Sequence, residues 1–525
     1  MGRILGLEGT AWAASAALYD PVTGSVEMET EPYRPPTGGI DPAEAAAHMA
    51  EALPDVLEQV LADGRDDVEA VAFSRGPGLG PCLRVTGATA RALAARLELP
   101  LVGVNHMVAH AEVGRLLGDV EDPIALNASG ANAHVLGFRA GRYRVLGETM
   151  DTGVGNAIDK FTRHLGWSHP GGPKVERRAR DGDYVELPYV VKGMDFSFAG
   201  LTSAAKAAVD EGSPVEDVCC GLQETIFAML TEVTERALAL THRDEVVLGG
   251  GVAQNERLQA MVRAMAHERG ATVAIPPSRF LRDNAGMIAM TGAEMLAAGQ
   301  TVRVENSAVR PEYRPEQVSV RWRASAPPVR HPGTGPQRGA EAVVEPTAGG
   351  RIRKRRSPRA YRHPDLDAGL RRRRTVREAR LLQVARRVGV PTPTVYDVDP
   401  ETATLVLEHV GDDDLRDVPA PERSRVVGRH LARLHGHAGV VHGDPTVRNV
   451  RVGAERLYLI DFGLGFRSDH VEDRAMDLHV FLQSLQDVVA DRTPYREALL
   501  DGYTATGPGD VRPQLREIEG RGRYR

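Results

Sequence analysis

Short apolar runs and turns follow one another in the first part of the chain as a unit that occurs twice. Residues 4–10 and 16–19 form two such runs, and a turn at 21–24 leads into a further strand pattern. A comparable unit recurs over residues 124–146, with its turn at Ala140-Gly141. Apolar runs this short, bounded by turn residues, are typical of β-strands. Because each copy precedes a largely helical stretch, the pattern predicts a duplicated α/β lobe.

Helix starts and glycine turns complete these two lobes. Asp41-Pro-Ala-Glu44 is a capping-box pattern with proline in the first turn, which predicts the start of a helix. Residues 245–248 form another strand pattern that ends in Gly249-Gly-Gly251, and a helix near Asn255 follows. Glycine turns at strand ends leave backbone N–H groups open to phosphate, so we expect the lobes to hold a nucleotide between them.

A segment without apolar periodicity divides the chain. Residues 320–337 are rich in proline, glycine and arginine, a composition typical of a linker. We therefore predict one domain at 1–319 and a second at 338–525. In the second, a strand pattern at 402–408 precedes helices and a catalytic type of segment. This order is expected of a small two-lobed kinase of the α+β class.

Composition narrows the classes of function. The 525 residues, 42% of them hydrophobic, are enough for several cores. The net charge of -6 excludes a uniformly basic nucleic-acid-binding protein, although residues 351–374 and 521–525 are locally basic. With three cysteines no disulfide framework is expected, which favours a reducing compartment. The sequence shows neither a signal peptide nor a membrane span, so we expect a cytoplasmic protein with no membrane partner.

The segment His442-Gly-Asp-Pro-Thr-Val-Arg-Asn449, followed by Asp461-Phe-Gly463, predicts a phosphoryl-transfer site. Such a site needs a carboxylate that accepts the proton of the nucleophile, and an amide and a second carboxylate that hold magnesium. Asp444, Asn449 and Asp461 supply these three groups in that order.

Lysine is rare in this chain. Only five of the 65 lysines and arginines are lysines, and Lys354 is the last of them. A compact ammonium that pairs with the phosphates of ATP explains why arginine does not stand there. Glu378 is then its expected ion-pair partner. The alternative is an incidental lysine within a solvated basic run.

Two histidines, His106 and His110, stand four residues apart and share one face if the segment is helical. A divalent metal that accepts imidazole would bridge them, and Asp283 is the oxygen ligand that the sequence offers. Such a pair is also common as an ordinary core or surface pair, and the spacing by itself does not separate these interpretations.

The first domain resembles, over nearly its full length, the universal tRNA threonylcarbamoyladenosine transferase family, in the archaeal and eukaryotic form found in the KEOPS complex. The matching motifs occur in the order of the family: Gly76-Pro-Gly-Leu-Gly80, Asn105-His-Met-Val-Ala-His110, Ser129-Gly-Ala-Asn132, Val154-Gly-Asn-Ala-Ile-Asp-Lys160, Pro170-Gly-Gly-Pro173, Lys192-Gly-Met-Asp-Phe-Ser197, Gly249-Gly-Gly-Val-Ala253 and Asp283-Asn284.

This resemblance implies a duplicated, two-lobed fold of the actin-like ATPase (ASKHA) type that binds threonylcarbamoyl-adenylate. The threonylcarbamoyl group passes to N6 of adenosine 37, beside the anticodon, in tRNAs that read A-starting codons. It also implies one divalent metal, iron or zinc, held by His106, His110 and Asp283. The residues that the resemblance places against the adenylate are Asn127, Ala128, Ser129, Gly130, Ala131, Asp159, Gly172, Glu176 and Asn255. Many relatives have tyrosine where this chain has Asn127, so the resemblance leaves open whether this position binds the metal.

The second domain resembles the small RIO-like atypical kinase of the same complex. This resemblance implies Mg-ATP as cofactor, with magnesium held by Asn449 and Asp461. Asp477 follows Asp461 by only sixteen residues, which leaves no room for the activation segment of ordinary protein kinases. ATP hydrolysis or restricted autophosphorylation is therefore favoured over phosphorylation of many proteins. The basic tail 521–525 matches a family segment that touches tRNA. The residues expected at the ATP are Gly339, Ala340, Glu341, Ala342, Lys354 and Glu378.

Together these patterns predict a fusion of two KEOPS subunits, a metal-dependent transferase and an ATPase or kinase that regulates it. The expected partners are tRNA, threonylcarbamoyl-adenylate, ATP and other small KEOPS subunits. An alternative is a protein kinase whose first domain is a regulatory scaffold. A protease is disfavoured because no glutamate lies between His106 and His110 as general base.

Overall fold

The structure is a computed structural model. It describes residues 2–34, 40–62, 67–323, 337–338, 342–347, 349–486 and 488–524. Three residues predicted to bind ATP, Gly339, Ala340 and Glu341, lie outside the described residues, as does most of the predicted linker. Among the described residues no helix is both long and apolar enough to cross a bilayer.

The chain forms two compact units. The first comprises Met1–Tyr189, Ser197–Thr234 and Arg243–Pro328, and the second comprises Val190–Phe196, Glu235–His242 and Val329–Arg525. Two short segments from the first half of the sequence thus group with the second unit. Residues 320–323 group with the first unit, where the Val320 N–H donates to the Gly141 carbonyl. The predicted boundaries at 319 and 338 stay a prediction.

The strands up to residue 323 are β1 (Arg3–Glu8), β2 (Ala13–Tyr19), β3 (Val26–Pro32), β4 (Val68–Gly76), β5 (Leu101–Asn105), β6 (Ile124–Ala128), β7 (Ala133–Arg139), β8 (Arg142–Glu148), β9 (Val191–Lys192), β10 (Asp195–Phe196), β11 (Glu245–Gly249) and β12 (Thr272–Ala274). The helices of the same part are α1 (Pro42–Leu61), α2 (Gly80–Leu97), α3 (His106–Gly118), α4 (Val154–His164), α5 (Gly172–Ala179), α6 (Ala199–Asp210), α7 (Val215–Thr241), α8 (Glu256–Arg269), α9 (Ser278–Leu281) and α10 (Ala285–Ala297).

The first unit contains two five-stranded sheets of the same topology. Their strand orders are β3-β2-β1-β4-β5 and β8-β7-β6-β11-β12. In each sheet three antiparallel strands continue into two parallel ones. The repeated strand unit seen in the sequence therefore forms the corresponding half of each sheet, and the predicted α/β class with a duplicated lobe is confirmed.

Helices cover both faces of the first sheet. Along β1, Leu5 and Leu7 pack in one core with Met49 of α1, whereas Ile4 packs in another with Ala289 of α10. Successive residues of a strand point to opposite faces of the sheet. A strand that is buried on both faces, such as β1, therefore needs a helix packed against each face. The end of this buried strand carries Glu8.

Helix α1 begins where the capping pattern predicts. The Asp41 carboxylate accepts the N–H groups of Ala43 and Glu44 at 2.8 and 3.0 Å. The Glu44 carboxylate accepts the hydroxyl of Tyr33 at 2.6 Å, and this hydrogen bond joins the residue after β3 to helix α1.

The strands of the second half are β13 (Gln337–Arg338), β14 (Ala342–Thr347), β15 (Arg351–Arg356), β16 (Val395–Asp399), β17 (Thr404–Glu408), β18 (Asp413–Asp414), β19 (Val440–Val441), β20 (Val450–Val452), β21 (Leu457–Leu459) and β22 (Phe466–Arg467). The helices are α11 (Pro364–Arg387), α12 (Pro421–Arg433), α13 (Val471–Ser484), α14 (Thr493–Thr504) and α15 (Val511–Tyr524).

The second unit has the predicted α+β arrangement. A sheet of order β13-β14-β15-β17-β16 comes first along the chain and is followed by a mainly helical part with short hairpins. Helix α11, which carries Glu378, contacts β16 and β17. One core of buried side chains extends from Leu405 in the sheet to Leu499 in α14.

Candidate active sites

The two histidines lie at the start of α3, directly after β5. The Asn105 side chain caps this helix by accepting the Val108 N–H at 3.0 Å. The ring centroids of His106 and His110 are 4.8 Å apart, and the side chains are buried, at 7% and 1% exposure. The helical interpretation of the spacing is therefore right, and both imidazoles lie side by side.

Asp283 brings the third predicted ligand to the pair. Its Oδ1 lies 3.3 Å from His106 Nε2 and 3.2 Å from His110 Nε2. Ligand atoms held about 2.1 Å from a tetrahedral metal lie about 3.4 Å from one another, so these spacings match a shared ion. Asp283 comes from the residues between α9 and α10, far along the chain from the histidines.

Glu8 is a fourth charged group of this site, and the sequence analysis did not assign it. Its fully buried Oε2 lies 3.1 Å from His106 Nδ1, on the opposite side of the ring from Asp283. Burial alone lowers the pKa of His106, but Glu8 and Asp283 outweigh it and raise this pKa to about 10. For Asp283, burial acts upwards, yet His106 and His110 hold its pKa well below the usual range.

A buried amide oxygen adjoins the cluster and supports the fit of a metal. Asn127 lies near the end of strand β6, and its Nδ2 donates to Met107 Sδ at 3.6 Å. Its Oδ1 is buried and accepts no hydrogen bond from any residue that the structure describes. A Cβ built on Gly249 would lie 3.6 Å from His110 Cβ and 3.9 Å from this oxygen, which places Asn127 beside the histidine helix.

The segment after Asn127 forms a tight turn held by helix α4. The Ser129 N–H and hydroxyl both donate to the Asn132 carbonyl, at 2.9 and 3.0 Å. From α4, the N–H groups of Gly155 and Asn156 donate to the carbonyls of Ser129 and Gly130. The turn is thereby fixed at its base. Of the predicted adenylate contacts, Ala128 ends β6 just before this turn, and Ser129, Gly130 and Ala131 lie on it, the last two exposed.

The remaining four residues predicted to contact the adenylate lie in two places. In each place, a carboxylate of one residue accepts a backbone N–H next to another. Asp159 of α4 accepts the Gly171 N–H at 2.7 Å, immediately before Gly172 opens α5. Glu176 of α5 accepts the Glu256 N–H at 2.9 Å, at the first turn of α8. Asn255 is the N-cap of α8, where its side chain accepts the Arg257 N–H at 2.9 Å. Its amide also donates to Gln223 at 3.0 Å.

In the second unit, Lys354 and Glu378 form the ion pair that the sequence predicts. The Lys354 Nζ lies 2.8 and 3.0 Å from the two carboxylate oxygens of Glu378, and 2.8 Å from Asp461 Oδ1. Lys354 is 6% exposed and Glu378 is fully buried. Ala342, the one described residue of the predicted segment 339–342, pairs with Arg356 across β14 and β15.

Arg356 is a second buried cation of this site that the sequence analysis did not assign. It stands two residues after Lys354 on β15, so both side chains point to the same face. Its Nη2 lies 2.5 Å from Glu378 Oε2, and its Nη1 donates to Thr375 Oγ1 at 3.2 Å. With 2% exposure it is buried like Lys354, while Arg355 between them is exposed. The signal available in the sequence was the position of Arg356 two residues after Lys354, because a strand places such residues on one face.

The predicted catalytic segment forms a compact loop. Asn449 Nδ2 donates to the Asp444 carbonyl at 2.8 Å and to its Oδ2 at 3.0 Å. Asp477 of α13 fixes the start of the loop by accepting the N–H groups of His442 and Gly443, at 2.6 and 2.8 Å. Asp461 has a positive φ of 62°, a strained backbone conformation that occurs often at functional sites.

Only a short connection separates Asp461 from helix α13. Strand β22 begins at Phe466, and α13 begins at Val471. A docking platform for a peptide substrate, as ordinary kinases build from their activation segment, has no counterpart in this described stretch. The prediction from the spacing of Asp461 and Asp477 is consistent with this geometry.

Each half of the chain matches a known protein family. Residues 22–290 match the TsaD family, tRNA N6-adenosine threonylcarbamoyltransferase. Residues 352–479 match the RIO domain. The first match makes the first domain a transferase domain, in place of the regulatory scaffold of the alternative interpretation.

Curated relatives match this chain over nearly its whole length and nearly the whole of theirs. Three are named probable bifunctional tRNA threonylcarbamoyladenosine biosynthesis protein. That of Halobacterium salinarum is 63% identical over 99% of this chain and 98% of its own. That of Natronomonas pharaonis is 61% identical over 100% of both chains. That of Haloquadratum walsbyi is 59% identical over 99% of this chain and 100% of its own.

Proposed function

Because this chain belongs to the family of bifunctional tRNA threonylcarbamoyladenosine biosynthesis proteins, we propose that its first domain transfers threonylcarbamoyl from threonylcarbamoyl-adenylate to N6 of adenosine 37. The tRNA substrates are those that read A-starting codons. The convergence of His106, His110 and Asp283 beside the buried oxygen of Asn127 is the observation that supports this proposal. Adenylate and acceptor would meet where the turn after Asn127 is exposed.

In the proposed reaction the N6 amine forms a bond to the carbamoyl carbon. The bond from that carbon to the phosphate oxygen breaks, and AMP leaves with the electron pair while the amine loses a proton to water. The turn at 128–131 would hold the adenylate, with its base fixed by α4. Asp159, Gly172, Glu176 and Asn255 would contact it from α4, α5 and the start of α8.

His106, His110 and Asp283 would hold a divalent metal, iron or zinc. When bound, such an ion supplies Lewis acidity that stabilises developing charge on oxygen. Glu8 would keep His106 oriented, because a carboxylate on Nδ1 leaves Nε2 to face Asp283. We assign Asn127 the role of a polar contact to the adenylate or the metal.

The RIO domain would use Mg-ATP. Lys354 would pair with the phosphates, Asn449 and Asp461 would hold magnesium, and Asp444 would orient the nucleophile. The short connection from Gly463 to Val471 favours water or a residue of the chain itself as nucleophile. We propose that this ATP turnover regulates the transferase together with other small KEOPS subunits, in the cytoplasm where tRNA modification occurs.

Inactivating each half separately tests this division. The full chain is supplied with partner subunits, tRNA, labelled threonylcarbamoyl-adenylate and ATP. Asp444→Ala should lower ATP turnover by about a hundredfold or more, the typical share of a general base, and leave single-turnover transfer from preformed adenylate unchanged. Asp283→Ala should lower single-turnover transfer and leave ATP turnover unchanged. Unchanged ATP turnover in Asp444→Ala would refute the assignment of the kinase site.

A further inference from the structure

An arginine-lined groove lies in the second unit, between helix α11 and strand β22. It encloses about 820 Å³. No acidic residue lines it in the described part of the chain. The charged side chains along it are those of Arg372, Arg373, Arg377, Arg380, Arg387 and Arg467, and all of them are exposed.

The arginines of α11 form a stripe. Arg373, Arg377, Arg380 and Arg387 follow one another at intervals of four, three and seven residues, which places them on one helix face. From the first to the last, this stripe is about 21 Å long at 1.5 Å per residue. A single phosphate or a mononucleotide would occupy only part of it, so the stripe fits an extended polyanion.

The apolar side chains at the bottom of the groove pack against the core of the second unit. Leu381 is 6% exposed and belongs to the core of the unit, and Val384 packs against the same core. The loop before β22 is seated tightly on the helix, because a Cβ on Gly465 would lie 2.7 Å from Leu381 Cδ1. What the groove offers to a partner is therefore mainly guanidinium groups. An amphipathic peptide would need a continuous exposed apolar face, whereas Val376, Val384 and Phe466 in this lining are each half-buried and accompanied by six arginines.

Positive charge is concentrated here in a chain whose net charge is -6. Although Arg377 is exposed, partial loss of hydration lowers the pKa of its guanidinium, and repulsion by Arg374 and Arg373 lowers this pKa further. Like charges four residues apart on a helix destabilise it, a cost that a bound polyanion offsets. Arg372 reaches Glu401 at 3.4 Å, at the exposed rim of the groove.

We propose that this groove binds the phosphate backbone of the tRNA substrate. The proposal rests on the proposed function, because it takes tRNA as the polyanion that the enzyme must hold. Arginines along the groove would contact successive phosphates, and the half-buried ring of Phe466 at its wall would lie against a base or ribose. Contacts of this kind position the tRNA without reading its sequence.

The test compares two triple variants of the full chain. Arg377→Gln/Arg380→Gln/Arg387→Gln removes three charges from the groove. Arg353→Gln/Arg429→Gln/Arg456→Gln removes three exposed charges outside it. Dissociation constants for a tRNA that reads an A-starting codon are measured over a salt series. The groove variant should bind about tenfold or more weakly at low salt, and the slope of log K against log salt should be smaller by about two to three.

The control variant should retain the wild-type slope, and both variants should retain wild-type ATP turnover without RNA. Wild-type binding and slope in the groove variant would overturn the groove assignment and leave the proposed function intact. No tRNA binding by the wild type would instead overturn the proposed function. If the groove variant lost affinity for a polyglutamate peptide but not for tRNA, the groove would be a site for an acidic protein, and the RNA assignment would be wrong.

Discussion

Glu8 is a fully buried carboxylate at the end of β1, directly after a run from Ile4 to Leu7 that has no polar side chain. A buried charge is costly unless it is paired, and here its Oε2 faces His106 Nδ1. A carboxylate that accepts a hydrogen bond from the imidazole nitrogen that does not bind the metal fixes the orientation of the ring and its tautomer. We therefore regard Glu8 as the residue that positions His106.

Glu8→Gln should weaken metal binding by about ten- to a hundredfold, the usual effect of losing a partner of a metal-bound histidine. The measurement is metal content after dialysis against a graded series of chelator concentrations. Glu31→Gln, at an exposed position of β3, serves as control and should bind metal like the wild type. Equal metal affinity in Glu8→Gln and the control would show that Glu8 has no such role.

The sequence identified residue types but not all of their contacts. His106 and His110 were predictable because a helix places i and i+4 together. Glu8 was not, because its partner lies 98 residues away and only the sheet brings them together. The geometry of Asn449 and Asp444, in contrast, is local and follows from a five-residue separation.

At the scale of elements, strand β15 sorts its basic residues by face. Lys354 and Arg356 are buried around Glu378, whereas Arg353 and Arg355 are exposed. The composition of this segment suggested a uniformly solvated basic run, which was one of the interpretations left open. Alternation along the strand decides between them, since two of its cations form buried ion pairs with Glu378.

Arg356→Met should destabilise the second unit by about 3 kcal/mol. This is the lower range for breaking a buried ion pair, because Glu378 keeps Lys354 as partner. Arg353→Met, on the outer face of the same strand, should change stability by about 0.5 kcal/mol or less. Hydrogen exchange of peptides covering β15 and α11 measures both changes. A similar effect of the two substitutions would contradict the sorting by face.

A second test at this scale concerns the turn after β11. Gly250 has a φ of 87°, and a Cβ there would lie 2.3 Å from the Ala128 carbonyl oxygen and 2.5 Å from Asn127 Oδ1. Gly250→Ala should therefore displace the end of β6 and lower the rate of transfer by about a hundredfold, the cost of misplacing reacting groups by about 1 Å. ATP turnover, measured in parallel, should not change.

Gly270→Ala is the matched control for this substitution. Gly270 also has a positive φ, 66°, but nothing lies within 4 Å of its notional Cβ. This variant should lose about 1 to 2 kcal/mol of stability from the left-handed conformation and keep the wild-type transfer rate. If both variants transferred at the wild-type rate, the end of β6 would not be part of the site.

For the whole molecule, the duplicated strand unit and the linker composition were enough to predict two bodies and their fold classes. The parallel pairing of β6 with β11 was not predictable from local pattern, because more than a hundred residues separate these strands. This pairing sets Gly249 beside Asn127 and so places the glycine turn next to the helix that carries His106 and His110. The grouping of Val190–Phe196 and Glu235–His242 with the second unit likewise has no signal in the sequence.

The central claim is that the cluster of His106, His110 and Asp283 carries out the transfer. The most direct measurement is single-turnover transfer of labelled threonylcarbamoyl from preformed adenylate to tRNA by the full chain and its partners. His106→Ala/His110→Ala should abolish this transfer and the bound metal, while ATP turnover by the RIO domain persists. Normal tRNA modification by this double variant would contradict the claim.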